Sequence, residues 1–339
     1  MNRSDRKLGA ARRQAVRRGM RFITRVAADE DVAAYLGTGL LYSLASLARS
    51  AADPALRHAA RALGRKSFRL WERRLFEAPD FAAVDWVGEA VRGHGAGASL
   101  GLRRPAVGAA LRAAVTAFDA LALIGFDADR GPPPAPASAG RGARSPASSP
   151  SQSQSRWRIW CMGLTSAWCG EQGGVPLGAR YGQVLRWLPR MRDYEVAWHH
   201  DRALFHDVAY AVSHVVYTLN NYGQFRLDPR WLPHEYLFLR AALPEAITLG
   251  DADLTGEMLD SLRAFGVPDH DSMVTLGSQY LVDSQNGDGS WGCWDADTFY
   301  AGFHATWAAI DGLRDYRWTG PRLAFPHLLP QLQSWLRTA

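Results

Sequence analysis

The densest run of side chains able to do chemistry is His199-His200-Asp201-Arg202-Ala203-Leu204-Phe205-His206-Asp207-Val208-Ala209-Tyr210-Ala211-Val212-Ser213-His214. On a helix, 3.6 residues per turn put His206, Tyr210 and His214 on one stripe, with Asp207 on the stripe beside it. Eight residues separate the two imidazoles of that stripe by about 12 Å along the axis, too far to share one ion without a bend. An H-E-x-x-H helix chelates because its histidines lie one turn apart, and that spacing is missing. The helix is therefore expected to supply one or two ligands, with His304, Cys293 or an acid on a facing helix completing the set. The metal-ligand candidates are His206, Asp207, His214 and His304, and imidazole with carboxylate suits iron or zinc, copper also being accommodated. Without a metal, His214 is the candidate general base oriented by an acid such as Asp207, and Tyr210 joins them as the third catalytic candidate. The neighbouring residues are Val, Ala, Tyr and Phe, so imidazoles and a carboxylate buried among them would need one another as partners. Each histidine taken singly reads more simply as a hydrogen-bonded core residue.

A second polar string, Gly250-Asp251-Ala252-Asp253-Leu254-Thr255-Gly256-Glu257-Met258-Leu259-Asp260, reads first as a helix start. Asp251 or Asp253 would cap the helix, with Glu257 one turn inside. Cys161 and Cys169 are eight apart on a Trp-rich segment and are expected to be buried hydrophobes. Eleven of the thirteen tryptophans lie after Ser155, more than helical packing requires. Trp157, Trp160, Trp168, Trp187, Trp198, Trp231, Trp294 and Trp307 are candidates to wall a cavity for an apolar or cationic species.

The elements that must position these groups are helices. Apolar residues recur at three-to-four spacing, strand signals are nearly absent, and breaks fall at Gly or Pro. The pattern predicts helices near 8–26, 30–50, 54–76, 79–93 and 104–124, then 157–170, 179–191, 202–221, 230–248, 252–265, 269–284, 296–315 and 321–337. Asp53-Pro54 and Asp228-Pro229 supply caps with proline just inside. About twelve short helices in hairpins must stack, because no single pair buries its own apolar face.

One stretch stands apart: RGPPPAPASAGRGARSPASSPSQSQS, from Arg130 to Ser155, is expected to be a disordered loop. It divides the chain into a helical half over 1–129, the loop over 130–156, and a second half over 157–339 that carries the candidate site. With 339 residues, 47% hydrophobic and three cysteines, global disorder and a disulfide scaffold are excluded. The apolar run Val32 to Ala48 is broken by Gly37, Thr38, Gly39, Ser43 and Ser46, so no transmembrane segment is expected. No secretory signal is read at the start, and the cytoplasm is the expected compartment. The net charge of +6 concentrates in the first 25 positions, where nine basic residues face one acid. Without aromatic or motif support this reads as a solvated helix face and not as a nucleic-acid site.

Near the end stands Gln285-Asn286-Gly287-Asp288-Gly289-Ser290-Trp291-Gly292, a tight-turn string between two helices. It resembles the Gln-Trp repeat of the terpenoid cyclase and protein prenyltransferase superfamily, and the following Phe299 to Trp307 is similar to the helix after that repeat. The resemblance implies an all-α protein built as an α/α toroid. It does not carry activity: Asp251-Ala252-Asp253-Leu254 and Asp295-Ala296-Asp297-Thr298 each lack the last acid of a D-x-D-D motif, and no Asp-Asp pair occurs. Cys293, Asp295 and His304 echo the zinc-ligand types of the prenyltransferases without their spacing. The string from Gly250 to Asp260, with H-D-x-x-Y-x-x-x-H, also looks like a bacterial group associated with specialised metabolism.

The expected function is a biosynthetic enzyme that handles a small apolar or partly apolar molecule at a metal-binding His/Asp cluster. A metal-independent enzyme guiding a carbocation with aromatic walls and an unconventional acid, Asp253 or Asp295, and a non-catalytic toroid binding a lipid or protein are the alternatives. Deletion of the 130–155 stretch should leave stability within about 1 kcal/mol, since surface-loop changes are tolerated well. Chemical denaturation of the deleted protein checks this, and loss of folding would show that the stretch packs.

Overall fold

Aspartate caps begin many of the helices, as the sequence pattern requires. Asp29, Asp53, Asp119, Asp201, Asp251 and Asp271 each accept a backbone N–H from the turn they precede, which satisfies donors that a helix start leaves unpaired. The computed structural model describes residues 3–131, 155–198, 201–292 and 299–336. Most of the loop predicted over 130–156, together with His199, His200, Cys293, Trp294, Asp295 and Asp297, lies outside the described residues.

The chain is all-α, with fifteen α-helices and no strand among the described residues. The first part forms α1 (Arg3–Val26), α2 (Glu30–Ser50), α3 (Pro54–Leu75), α4 (Val84–Ser99), α5 (Pro105–Val115) and α6 (Ala120–Ile124). The second forms α7 (Arg156–Gly173), α8 (Tyr181–Leu185), α9 (Leu188–Met191), α10 (Arg202–Leu219) and α11 (Pro233–Thr248). It continues through α12 (Ala252–Ala264), α13 (Ser272–Asp283), α14 (Phe299–Leu313) and α15 (Leu329–Ser334). None is long and apolar enough to cross a membrane.

The count exceeds the thirteen predicted spans because two expected helices are split. Asp119 caps a new start and divides 104–124 into α5 and α6, and Pro189 sits in the first turn of α9, separating it from α8. The helix predicted over 79–93 is displaced to α4. Asp80 caps Ala82 and Ala83 in a turn before it. The helix then runs through Gly93 and Gly97, because a Cβ at those positions would lie 2.0 Å from the Trp71 ring and 2.3 Å from Phe68. Two large rings use the space that glycine leaves, and packing overrides helix propensity.

The helices contact one another in a closed order: α2 packs on α4, α4 on α7, α7 on α10, α10 on α12, α12 on α14, and α14 returns to α2. Around this cycle, α3 covers α2 and α4, α11 and α13 cover α12, and α1 lies against α13 and α14. Both buried clusters mix residues from before and after the long loop, for instance Leu40 and Leu44 with Phe303 and Ile310.

The turn motif is a joint that serves this closure. Trp291 is fully buried, its indole N–H donating to Leu281 O and its backbone N–H to Thr306. Gln285 donates to Ala15 O and Gly289 O, while Arg18 and Arg25 of α1 donate to the carbonyls of Asn286 and Asp288. Of the basic N-terminal segment, Arg12 is buried, with its Nε on Leu313 O.

The tightest seam joins α12 and α14. A Cβ at Gly256 would lie 2.5 Å from the carbonyl carbon and oxygen of Ala308, and one at Gly312 would lie 2.8 Å from Gly256 O. Backbone meets backbone there, so no side chain can swing away. Gly256→Ala should cost about 1–3 kcal/mol as an overpacking change, measured by denaturant unfolding, and should weaken any ligand binding that bridges the two helices. A neutral effect would show that the seam is slack.

Candidate functional site

All six helices of the cycle line one cavity of about 260 Å³. Thr38, Tyr42 and Ser46 come from α2, Arg92 from α4, Trp168 and Cys169 from α7, Tyr210, His214 and Tyr217 from α10. Glu257 and Asp260 come from α12, and Tyr300, His304, Trp307 and Asp311 from α14, with Tyr222 reaching in from the turn after α10. That turn is strained. Asn221 and Tyr222 have φ of 57° and 48°, the left-handed region that a bulky residue rarely takes. Asn220 Oδ1 accepts from Gly223 N, and Ser46 and Arg49 donate to the carbonyls of Tyr222 and Asn221. The strain turns the Tyr222 ring against Trp168, with centroids 4.5 Å apart.

On one wall, acids and imidazoles converge. Asp251 takes the cap of α12, accepting from Leu254 N, which frees Asp253 to meet His304. His304 Nδ1 lies 2.8 and 2.9 Å from the two Asp253 oxygens. One turn along α12, Glu257 is 2% exposed, and its Oε2 is 2.5 Å from Ser213 Oγ and 3.7 Å from His214 Nδ1. His214 Nδ1 is also 2.9 Å from Tyr210 O. A carbonyl only accepts, so Nδ1 carries the proton and Nε2 keeps its lone pair.

Electrostatics follow from these contacts. Burial drives the His214 ring down to about 3, so it is neutral. Burial also favours neutral His304, but the Asp253 carboxylate outweighs it and raises the ring to about 9. Asp253 is held below the usual carboxylate range, the attraction of His304 overcoming desolvation. Burial and the neighbouring Asp253 push Glu257 up to about 8. Ser213 Oγ donates toward Glu257 Oε2 and also sits 3.0 Å from Tyr210 O, two acceptors for its single proton.

Ligand-type atoms of Asp253, Glu257 and His304 all lie within 4.8 Å of one another, the group among the described residues able to hold one ion. Of the residues predicted from the sequence, His304 belongs to this group, and His214 stands beside it through Glu257. Tyr210 lies between the histidines, its ring centroid 4.0 Å from His214 and 6.3 Å from His304, with Arg158 stacked 4.4 Å from it on the outer side. His206 stacks on Tyr210 at 5.9 Å, half-buried one turn farther out. Asp207 is half-buried and acts through charge on Arg158 and Cys161. Glu257, read as the turn after a cap, and Asp253, read as that cap or as the acid of a carbocation enzyme, are the group members that the sequence did not offer as metal ligands. Their signal was available: Asp253, Glu257 and Asp260 fall at i, i+4 and i+7 of one helix, a single stripe.

Of the tryptophans expected around a cavity, Trp168 and Trp307 line it, whereas Trp157 and Trp160 donate to Met191 O and Val184 O in the core. Tyrosines make most of the aromatic wall. Cys161 and Cys169 are buried with thiols raised by burial, as expected of hydrophobes.

Comparison with protein-family models, curated proteins and solved structures returned no match.

The titrations set a direction for stability. Glu257, raised in the folded state, keeps a proton that the unfolded chain has released, so the fold loses stability as pH climbs toward 8. His304, also raised, contributes stability below the ordinary histidine range that is lost as pH rises through 9. The metal-free protein should therefore melt progressively lower from pH 7 to pH 9, and Glu257→Gln should flatten that slope. A melting temperature that climbs over this window would contradict the burial of both groups.

Proposed function

We propose that the protein is a metal-dependent enzyme acting on a small, partly apolar molecule inside the helical cycle. The observation that carries this reading is the convergence of Asp253, Glu257 and His304 from α12 and α14. Two carboxylates and one imidazole form an oxygen-rich, borderline-hard donor set that suits iron or zinc better than copper. Their 4.8 Å span is wider than the ~3–4 Å between ligands of a single ion, so small side-chain rotations must draw them in. A cation also accounts for the electrostatics: it replaces the proton that Glu257 otherwise needs and balances two acids in a low-dielectric wall.

Such an ion would supply Lewis-acid polarisation or an activated water. The chain's own groups do the rest. Neutral His214, held with its proton on Nδ1 by Tyr210 O, presents Nε2 as a hydrogen-bond acceptor that can orient a substrate donor. Ser213 fixes the Glu257 carboxyl, and the aromatic wall excludes water and orients the apolar body of the substrate. The closed order α2–α4–α7–α10–α12–α14 supports the α/α toroid, and with it the resemblance to the cyclase-like superfamily and a place in specialised metabolism. Fold alone does not carry activity.

A second reading is favoured by the Glu257–Ser213 contact. A buried carboxylic acid facing aromatic rings is a proton donor, which fits a metal-independent enzyme that generates a carbocation. Metal content separates the two. Protein purified without chelator should carry near-stoichiometric iron or zinc by plasma emission analysis. Asp253→Asn, Glu257→Gln and His304→Ala should each lose most of it, while His206→Ala and Asp207→Asn keep it. Metal-free wild type, or full occupancy in Glu257→Gln, would overturn the metal reading.

A further inference from the structure

Farther along α12 and α14, the same cavity is built differently from the metal-ligand cluster. Asp260, one turn beyond Glu257 on α12, is 2% exposed and lines the cavity, yet its Oδ1 has no hydrogen-bond partner among the described residues. An unpaired buried carboxylate oxygen is costly, worth more than an ordinary lost hydrogen bond. Asp311 faces the cavity beside it, but both its oxygens are engaged, by Arg314 Nε at 2.6 Å and Trp307 Nε1 at 2.7 Å. Arg314 thus stands behind Asp311 and, with Arg263 and the Tyr316 hydroxyl, also acts on Asp260 from the protein side, which leaves Asp260 Oδ1 as the oxygen without a hydrogen-bond partner. Opposite, the Trp168 indole N–H, 2% exposed, is a donor with no partner among the described residues. The faces of Trp168, Tyr217 and Tyr222 meet in the same space. Aromatic faces and a carboxylate together are the surroundings that hold an ammonium group.

We infer that the small molecule bound in this cavity carries a protonated amine, which donates to Asp260 Oδ1 among the aromatic rings, and an oxygen that accepts from Trp168 Nε1. The inference rests on the cavity being the substrate site, as proposed above, and adds the substrate's charge and polarity. Burial and the charge of Asp311 raise the free Asp260 carboxyl to about 7, and an ammonium partner restores its charge. The orientation follows: the amine lies toward Asp260, and the reacting end points along α12 toward Glu257 and His304.

Calorimetric titration with 2-phenylethylammonium, 2-phenylethanol and phenylacetate tests this without any variant. The amine should bind at least tenfold more tightly than the alcohol and the carboxylate. Asp260→Asn, nearly isosteric, should erase that preference, while Trp168→Phe should keep the amine preference. Equal binding of amine and alcohol, or an unchanged preference in Asp260→Asn, would overturn the inference. Metal content of Asp260→Asn is read in parallel: a protein that keeps its metal but ignores amines defeats the inference alone, whereas metal-free protein that selects amines defeats only the metal reading.

Discussion

The contact between α12 and α14 over Gly256 and Gly312 governs the rest of the site. Two helix backbones touch there with no side chain between them, closer than helices ordinarily pack. The approach brings Asp253 to within 2.8 Å of His304 across the seam. It also sets the acids of one helix and the imidazole and aspartate of the other at matching heights along the cavity. Larger residues at either glycine would separate the two rows, and the convergence that gives the site its chemistry would go with it.

A consequence is an uneven interior. Three acids of α12 lie on one stripe inside a mostly apolar cycle, and each finds a different answer to desolvation. Asp253 takes a charged imidazole, Glu257 takes a serine hydroxyl and a proton, and Asp260 is left with an open oxygen. Stability alone would favour replacing such groups by hydrocarbon. Their retention next to a strained tyrosine turn is the pattern expected where a cavity is shaped for binding.

The sequence was legible where one helix carries the signal by itself. The His206–Tyr210–His214 stripe stacks in the structure as helical periodicity requires, and His304 stood out because it follows a turn motif. Helical class was equally plain, since caps and three-to-four spacing are local. Asp253 and Glu257 were obscured by a competing local role: an aspartate near a helix start reads as a cap, and only the structure shows that Asp251 holds the cap and releases its neighbour. The tyrosine wall was hidden for a different reason. Its members sit on separate helices, and nothing in a single chain's spacing says which faces will share a cavity. The glycines of α4 misled for the same reason, because the rings that fill their space belong to α3.

The docking of α1 bears on how the chain reaches this state. Arg12 and Arg18 bond carbonyls 301 and 268 residues away. At ribosomal speeds of about 5–20 residues per second, α1 must wait roughly 15–60 s for its partners to emerge. Its apolar side, with Val16, Met20 and Ile23 buried at the end, is exposed to other nascent chains throughout that delay. The arginines spaced along the helix then have a second use, as gatekeepers that keep the waiting helix apart from its neighbours until its partner segments arrive.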